Sequence, residues 1–235
     1  MTTLTATDVH DAARLRPLYI FEAPVRVWHW VHALSIVVLS VTGWFIANPL
    51  PSVPGEASES FLMGNIRLIH FIAGYVFAVG FLVRIYWALV GNRYARELFV
   101  LPVWRPAWWK GLFYELRFYA FLTRTMHRET GHNPLAQSSY FVFNVLGTLF
   151  MLFTGFALYG EGLGDGSWAD GLFGWVIPLI GDAEAVHNWH NLGMWLMILF
   201  VIIHVYMAIR ADIMSRQSSI STMVGGWRYY KDDRA

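Results

Sequence analysis

The sequence predicts an all-α membrane protein, a four-transmembrane-helix bundle with both termini cytoplasmic. Three observations predict it. Apolar residues fill 56% of the 235 positions and charged residues only 14%; a soluble domain carries roughly a quarter charged, so the apolar excess needs a lipid-facing surface. Four apolar stretches reach the roughly 20 residues that a helix needs to cross the hydrocarbon of a bilayer. Of the segments outside the spans, only alternate ones carry Lys and Arg, which fixes the direction of each span. A single membrane domain, 1–235, accounts for the chain.

The first span runs over about residues 27–47. The tail before it is charged and the apolar run exceeds a signal-peptide core, so it reads as an uncleaved signal-anchor. The second span covers about 66–90. Between it and the third lies a segment, about 91–135, in which Trp104, Trp108, Trp109, Phe113, Phe118, Tyr119 and Phe121 interleave with Arg105, Lys110 and Arg117. That mixture suits an amphipathic helix lying at the headgroup level. The third span covers about 140–159. After it, Leu172–Ile180 is too short to cross and contains Pro178, so it reads as an interfacial or re-entrant piece or a docking surface. The fourth span covers about 190–213.

Basic residues set the orientation. They occur in the N-terminal tail (Arg14, Arg16, Arg26), throughout 91–135, and in the C-terminal tail (Arg216, Arg228, Lys231, Arg234). The connecting segments 48–65 and 160–189 contain no Lys or Arg but hold Glu56, Glu59, Glu161, Asp165, Asp170, Asp182 and Glu184. Both termini are therefore expected in the cytoplasm. The net charge of +1 offers nothing to nucleic acid, and lipid is the expected surroundings. Cysteine is absent. That excludes disulfides, thiolate metal sites, cysteine-held clusters and covalently attached haem, and leaves His, Met and carboxylates as ligands.

Histidine at membrane depth is costly and usually functional. His29, His32, His70, His187, His190 and His204 lie in the spans or at their ends, whereas His10, His127 and His132 do not. Any one of them could serve as an interhelix hydrogen-bonding group, but topology sorts the set into two layers. His29 and His204 fall toward the cytoplasmic side, and His70 and His190 open their spans at the outer side. Two histidines on different helices are what axial ligation of a haem requires. His190 and His204 are 14 residues apart, about 21 Å along a helix and nearly on one face. Two b-type haems between the helices, held without covalent attachment, are the expected cofactors.

The same interval places Gly43 opposite the outer layer and Arg84 near the inner one. Gly74 and Gly193, one turn from His70 and His190, are expected to leave room for a ring. Arg26 and Arg84 near the inner layer and Arg67 near the outer one are candidate propionate partners; Arg67 reads equally as an interfacial anchor. His32 and His187 each sit one turn from a chosen ligand and remain alternates, although His187 lies roughly 100° off the His204 face. A weak internal echo links Thr42-Gly43-Trp44-Phe45 with Thr154-Gly155-Phe156-Ala157. Two helix pairs related by an axis along the membrane normal would produce it.

With these residues assembled, the sequence resembles the b-type cytochrome subunit of membrane-bound nickel–iron hydrogenases from about Phe21 to Trp227. The most specific stretch is Phe21-Glu22-Ala23-Pro24-Val25-Arg26-Val27-Trp28-His29-Trp30. Supporting stretches are Pro49-Leu50-Pro51-Ser52-Val53 with Gly55-Glu56-Ala57, Ile66-Arg67-Leu68-Ile69-His70, Gly131-His132-Asn133-Pro134, His190-Asn191-Leu192-Gly193-Met194-Trp195, and His204-Val205-Tyr206-Met207-Ala208. The resemblance implies periplasmic hydrogenase small and large subunits as partners, with room for higher oligomers of the complex. It also implies electrons arriving from iron–sulfur clusters at the outer layer and leaving to a quinone at the inner one.

By analogy with the related cytochrome subunit of formate dehydrogenase, the quinone site points to Asn133, with Gln137 and His132. Asn133 followed by Pro134 also reads as a helix cap. The subunit itself is expected to be an electron-transfer component rather than the hydrogen-oxidising enzyme. The alternatives are a formate dehydrogenase-type cytochrome subunit, against which the Pro49–Ala57 stretch argues, and a His-based metal or proton transporter. The transporter reading expects histidines gathered at one midplane site.

Overall fold

Inside a bilayer every backbone N–H and C=O must be satisfied within its own segment, which leaves a long apolar run only the helix. The computed structural model, which describes residues 15–51, 61–123, 133–215 and 218–231, has four helices long and apolar enough to cross. They are α1 (Ala23–Ala47), α2 (Leu62–Val90), a third span described below, and the 33-residue fourth span (Ala183–Ser215). All begin before the expected positions, because polar residues such as Arg26, Asn65, Gln137 and Glu184 end an apolar run without ending a helix. Leu34, Leu82, Leu89 and Ile202 stand exposed on the spans, as lipid-facing side chains do.

Two short helices follow α2: α3 (Arg93–Arg96) and α4 (Pro106–Tyr119). The third span starts as α5 (Pro134–Ser139), continues through a π-helical stretch (Tyr140–Leu146) and ends as α6 (Gly147–Leu163). A π-helical insertion of this kind re-aims the residues beyond it. The expected interfacial piece is two short helices, α7 (Trp168–Phe173) and α8 (Val176–Ile180). The fourth span is α9, followed by α10 (Ser219–Gly225). The sequence reading did not anticipate two short strands, β1 (Leu15–Tyr19) and β2 (Trp227–Lys231). They pair antiparallel with Leu15 opposite Lys231 and Tyr19 opposite Trp227.

The chain divides into two compact units. The first holds residues 1–27, 87–139 and 202–235. Its core is Ile20, Phe21, Val25, Tyr94 and Ala95, with Leu18, Trp87 and Met223 packed on it. Glu22 ties the core together: one carboxylate oxygen accepts from Trp87 Nε1 at 3.0 Å and from the Asn92 backbone N–H at 2.9 Å. Asn92 donates to the Ile20 carbonyl at 2.9 Å and caps α3 by accepting from Ala95 N–H at 3.0 Å. Gly226 closes α10 at φ +84° and its carbonyl receives the Ile20 N–H at 2.9 Å.

In α4, Trp108, Glu115 and Phe118 form the buried stripe, leaving Trp109 and Phe113 exposed. Arg210, near the end of α9, lies over the rings of Phe118, Tyr119 and Phe121 at 4.7–5.2 Å.

The second unit, residues 28–86 and 140–201, holds most of the spans. Here α7 packs against α6 so closely that a β-carbon on Gly160 would lie 2.6 Å from the Asp170 nitrogen. Ser167 caps α7, accepting from Asp170 N–H at 3.2 Å.

Candidate functional site: two facing histidines

The site lies within the second unit, between α1, α2, α6 and α9. A cavity of about 620 Å³ opens among them, lined by His70, Phe71, Gly74, Gly155, His190 and Met194 among others. That volume falls in the ordinary range of cofactor pockets, roughly 300–1,000 Å³.

His70 on α2 and His190 on α9 face one another across it, ring centroids 6.5 Å apart and planes inclined by 70°. A metal–imidazole bond is about 2 Å, so this is the separation that two imidazoles adopt on opposite sides of one metal ion. Each ring is held from behind by a threonine of a neighbouring helix. Thr42 Oγ1 on α1 lies 2.8 Å from His70 Nδ1, and Thr154 Oγ1 on α6 lies 2.7 Å from His190 Nδ1.

Each hydroxyl also donates to a carbonyl one turn back in its own helix, Thr42 to Val38 and Thr154 to Phe150, both at 2.7 Å. A hydroxyl has one proton to give. With that proton on the carbonyl, Oγ1 meets the imidazole as an acceptor, so Nδ1 carries the ring proton and Nε2 keeps its lone pair. Both histidines are thus fixed in the tautomer that a metal needs. The residues fit haem b.

Glycine follows each threonine. A β-carbon on Gly43 would lie 3.4 Å from His70 Cε1, and one on Gly155 would lie 3.1 Å from His190 Cε1. The Thr-Gly echo is therefore one device used twice: the hydroxyl orients the ring and the glycine lets it lie against the helix. Sequence reasoning saw the repeat but not the contact, because the partner lies 28 residues away in one case and 36 in the other.

The other candidates are placed as follows. Arg67 lines the same cavity, as does His187, which is exposed and one turn before His190. Gly74 borders the cavity with nothing within 4 Å of a would-be β-carbon, as expected. Gly193 does otherwise: its face meets Met151 Sδ and Phe150, so it serves helix packing rather than ring clearance. His29 lies on α1 with its ring edge-on to Trp30 at 5.0 Å. His32 is buried and stacked flat on Phe77 at 4.3 Å; among the described residues neither of its ring nitrogens has a hydrogen-bond partner. Arg84 is buried with its guanidinium 5.3 Å over Trp28, at the level of His29.

Four described candidates belong to the first unit: Arg26, Asn133, Gln137 and His204. Arg26 donates to the Val224 carbonyl. Asn133 accepts from Ala136 N–H at 2.7 Å, the capping arrangement, and Gln137 accepts from Trp108 Nε1 at 3.0 Å. His204 lies on α9, 14 residues beyond His190. His132 and the Ser52–Ala57 part of the quoted resemblance lie outside the described residues. Among the described residues, no group of three or more His, Asp or Glu side chains converges as a metal-ion site would require.

The family profile for prokaryotic cytochrome b561 matches residues 20–226. A probable Ni/Fe-hydrogenase B-type cytochrome subunit of Azotobacter vinelandii is 64% identical over 217 residues, covering 92% of this chain and 90% of the relative. The corresponding protein of Cupriavidus necator is 55% identical over 231 residues, covering 97% and 95%. The probable Ni/Fe-hydrogenase 1 B-type cytochrome subunit of Escherichia coli K12 is 54% identical over 217 residues, covering 91% of each chain.

Proposed function

The chain belongs to the prokaryotic cytochrome b561 family, among the b-type cytochrome subunits of Ni/Fe-hydrogenases, and from that premise we propose that it is a dihaem membrane anchor carrying electrons from a periplasmic hydrogenase to quinone. The observation that carries this reading is the facing pair His70 and His190, each offering Nε2 across a cofactor-sized cavity. Haem b, when bound, supplies a reversible one-electron iron couple.

The chain's own residues do the rest. His70 and His190 hold the outer haem iron. Thr42 and Thr154 orient them, and the apolar cavity wall excludes water and lowers the local dielectric. Arg67, on the cavity lining, supplies positive charge for propionates. His29 and His204 hold the inner haem, with Arg84 and Arg26 as the basic residues of that layer. Shared use of α9 by His190 and His204 sets the spacing between the layers at about 21 Å along the helix.

The distribution of Lys and Arg supports an orientation with both termini in the cytoplasm of a bacterial inner membrane. The acidic outer segments then face the hydrogenase small subunit, whose iron–sulfur clusters are the electron donor. On the cytoplasmic side, Asn133, Gln137 and His132 form the quinone-binding region. The test is a dithionite-reduced minus oxidised spectrum of the purified full chain, with extracted haem counted per polypeptide. Two haem b per chain are expected. A spectrum without b-type bands would overturn the reading, and one haem per chain would remove the second site.

A further inference from the structure

We infer that Thr42 and Thr154 are positioning residues that set the electron-donor strength of both outer histidines, and so the potential of the outer site. The inference rests on the cofactor reading above. Both threonines are buried, and each is pinned by donating its only proton to its own helix. Pinned in this way, the oxygen presents a lone pair to Nδ1–H at 2.7–2.8 Å. An imidazole that donates from Nδ1 gains anionic character at Nε2 and becomes a stronger ligand; partners behind a metal-bound histidine tune both geometry and basicity.

A stronger ligand favours the higher oxidation state of the metal, so the two hydrogen bonds together hold the outer midpoint potential down. The duplication matters. Two bonds of the same kind, one behind each histidine, would act on the same iron, and either can be removed alone. The bonds also stop each ring from turning about its Cβ–Cγ axis, which would bring Cε1 to the place of Nε2. The adjacent glycines make this possible by letting each ring lie close enough to the helix to reach the hydroxyl.

The experiment compares Thr42→Val, Thr154→Val, the double variant, and Thr42→Ser and Thr154→Ser, all in the full chain. Midpoint potentials of both haems are measured by optical redox titration, and haem is counted per chain. Each valine keeps the shape of threonine and removes the acceptor. Each single valine variant is expected to raise the outer midpoint, the double variant to raise it further, and the serine variants to stay near wild type. The inner midpoint serves as the internal reference and should not move. Loss of outer haem in the valine variants with retention in the serine variants would equally support the positioning role. Valine variants that keep both haems at wild-type potentials would overturn it, as would serine and valine variants damaged alike. A wild-type chain without haem would instead overturn the cofactor reading on which it rests.

Discussion

Gly155 lies against His190 so closely that a β-carbon would sit 3.1 Å from Cε1, inside normal contact distance. Its counterpart Gly43 would place a β-carbon 3.4 Å from the His70 ring, an ordinary contact. The two positions are related by the Thr-Gly repeat, yet their tolerance should differ. Gly155→Ala is expected to displace His190 and weaken outer haem retention on the order of 10-fold. Gly43→Ala should lose less haem, because its β-carbon would meet the His70 ring and Met194 Sδ only at 3.4 Å, although it too enters the cavity lining. Haem content per chain for the two variants checks the contrast; equal retention would show that the His190 ring has slack.

Glu22 accepts from both Trp87 and the Asn92 backbone. Glu22→Ala leaves two half-buried donors without their acceptor and is expected to cost about 1–3 kcal/mol. Thermal unfolding of the detergent-solubilised chain should show a lower Tm. The haem signal assigned to His70 and His190 should remain that of the wild type, since that pair belongs to the other unit.

Gly226 combines φ +84° with a β-carbon position 2.6 Å from the Phe21 carbonyl. Gly226→Ala therefore combines left-handed backbone strain of roughly 1–2 kcal/mol with a clash against main chain. The expected result is a lower Tm and faster proteolysis near β1 and β2. A variant as stable as wild type would mean that this end of the unit adjusts easily.

Asn133 caps α5 through its side-chain oxygen, which leaves its amide group to distinguish a cap from a quinone ligand. Asn133→Asp keeps the capping oxygen and removes the NH₂ donor. If the residue also binds quinone, quinone reduction by the assembled complex should fall while Tm and haem spectra stay constant. Unchanged turnover would leave Asn133 a cap alone.

The spans were legible because lipid imposes a length and an apolar composition that survive without any tertiary information. The pairing of His70 with His190, whose rings lie 6.5 Å apart, was legible because the pattern of basic residues assigns the start of both spans to one side. What escaped depends on contacts between distant segments. β1 and β2 are only five residues each and pair across the length of the chain, with Tyr19 opposite Trp227; no local periodicity announces such a partner. Within the Phe21–Arg26 stretch, Phe21 and Glu22 help to close the first unit, through contacts with Tyr94, Trp87 and Asn92 that no local pattern announces. Gly193 was read as ring clearance, because a glycine one turn from a histidine looks the same from sequence whether its neighbour is a cofactor or Met151. Thr42 and Thr154 were visible only as a faint repeat, since a hydroxyl reveals its role only through the ring that it touches.

The most direct measurement is haem content and redox-difference spectra of His190→Ala and His187→Ala, compared with wild type. The account predicts that His190→Ala loses the outer haem, retains the inner one and binds one haem per chain, while His187→Ala retains both. Loss of the outer haem from His187→Ala, with both haems kept by His190→Ala, would contradict it.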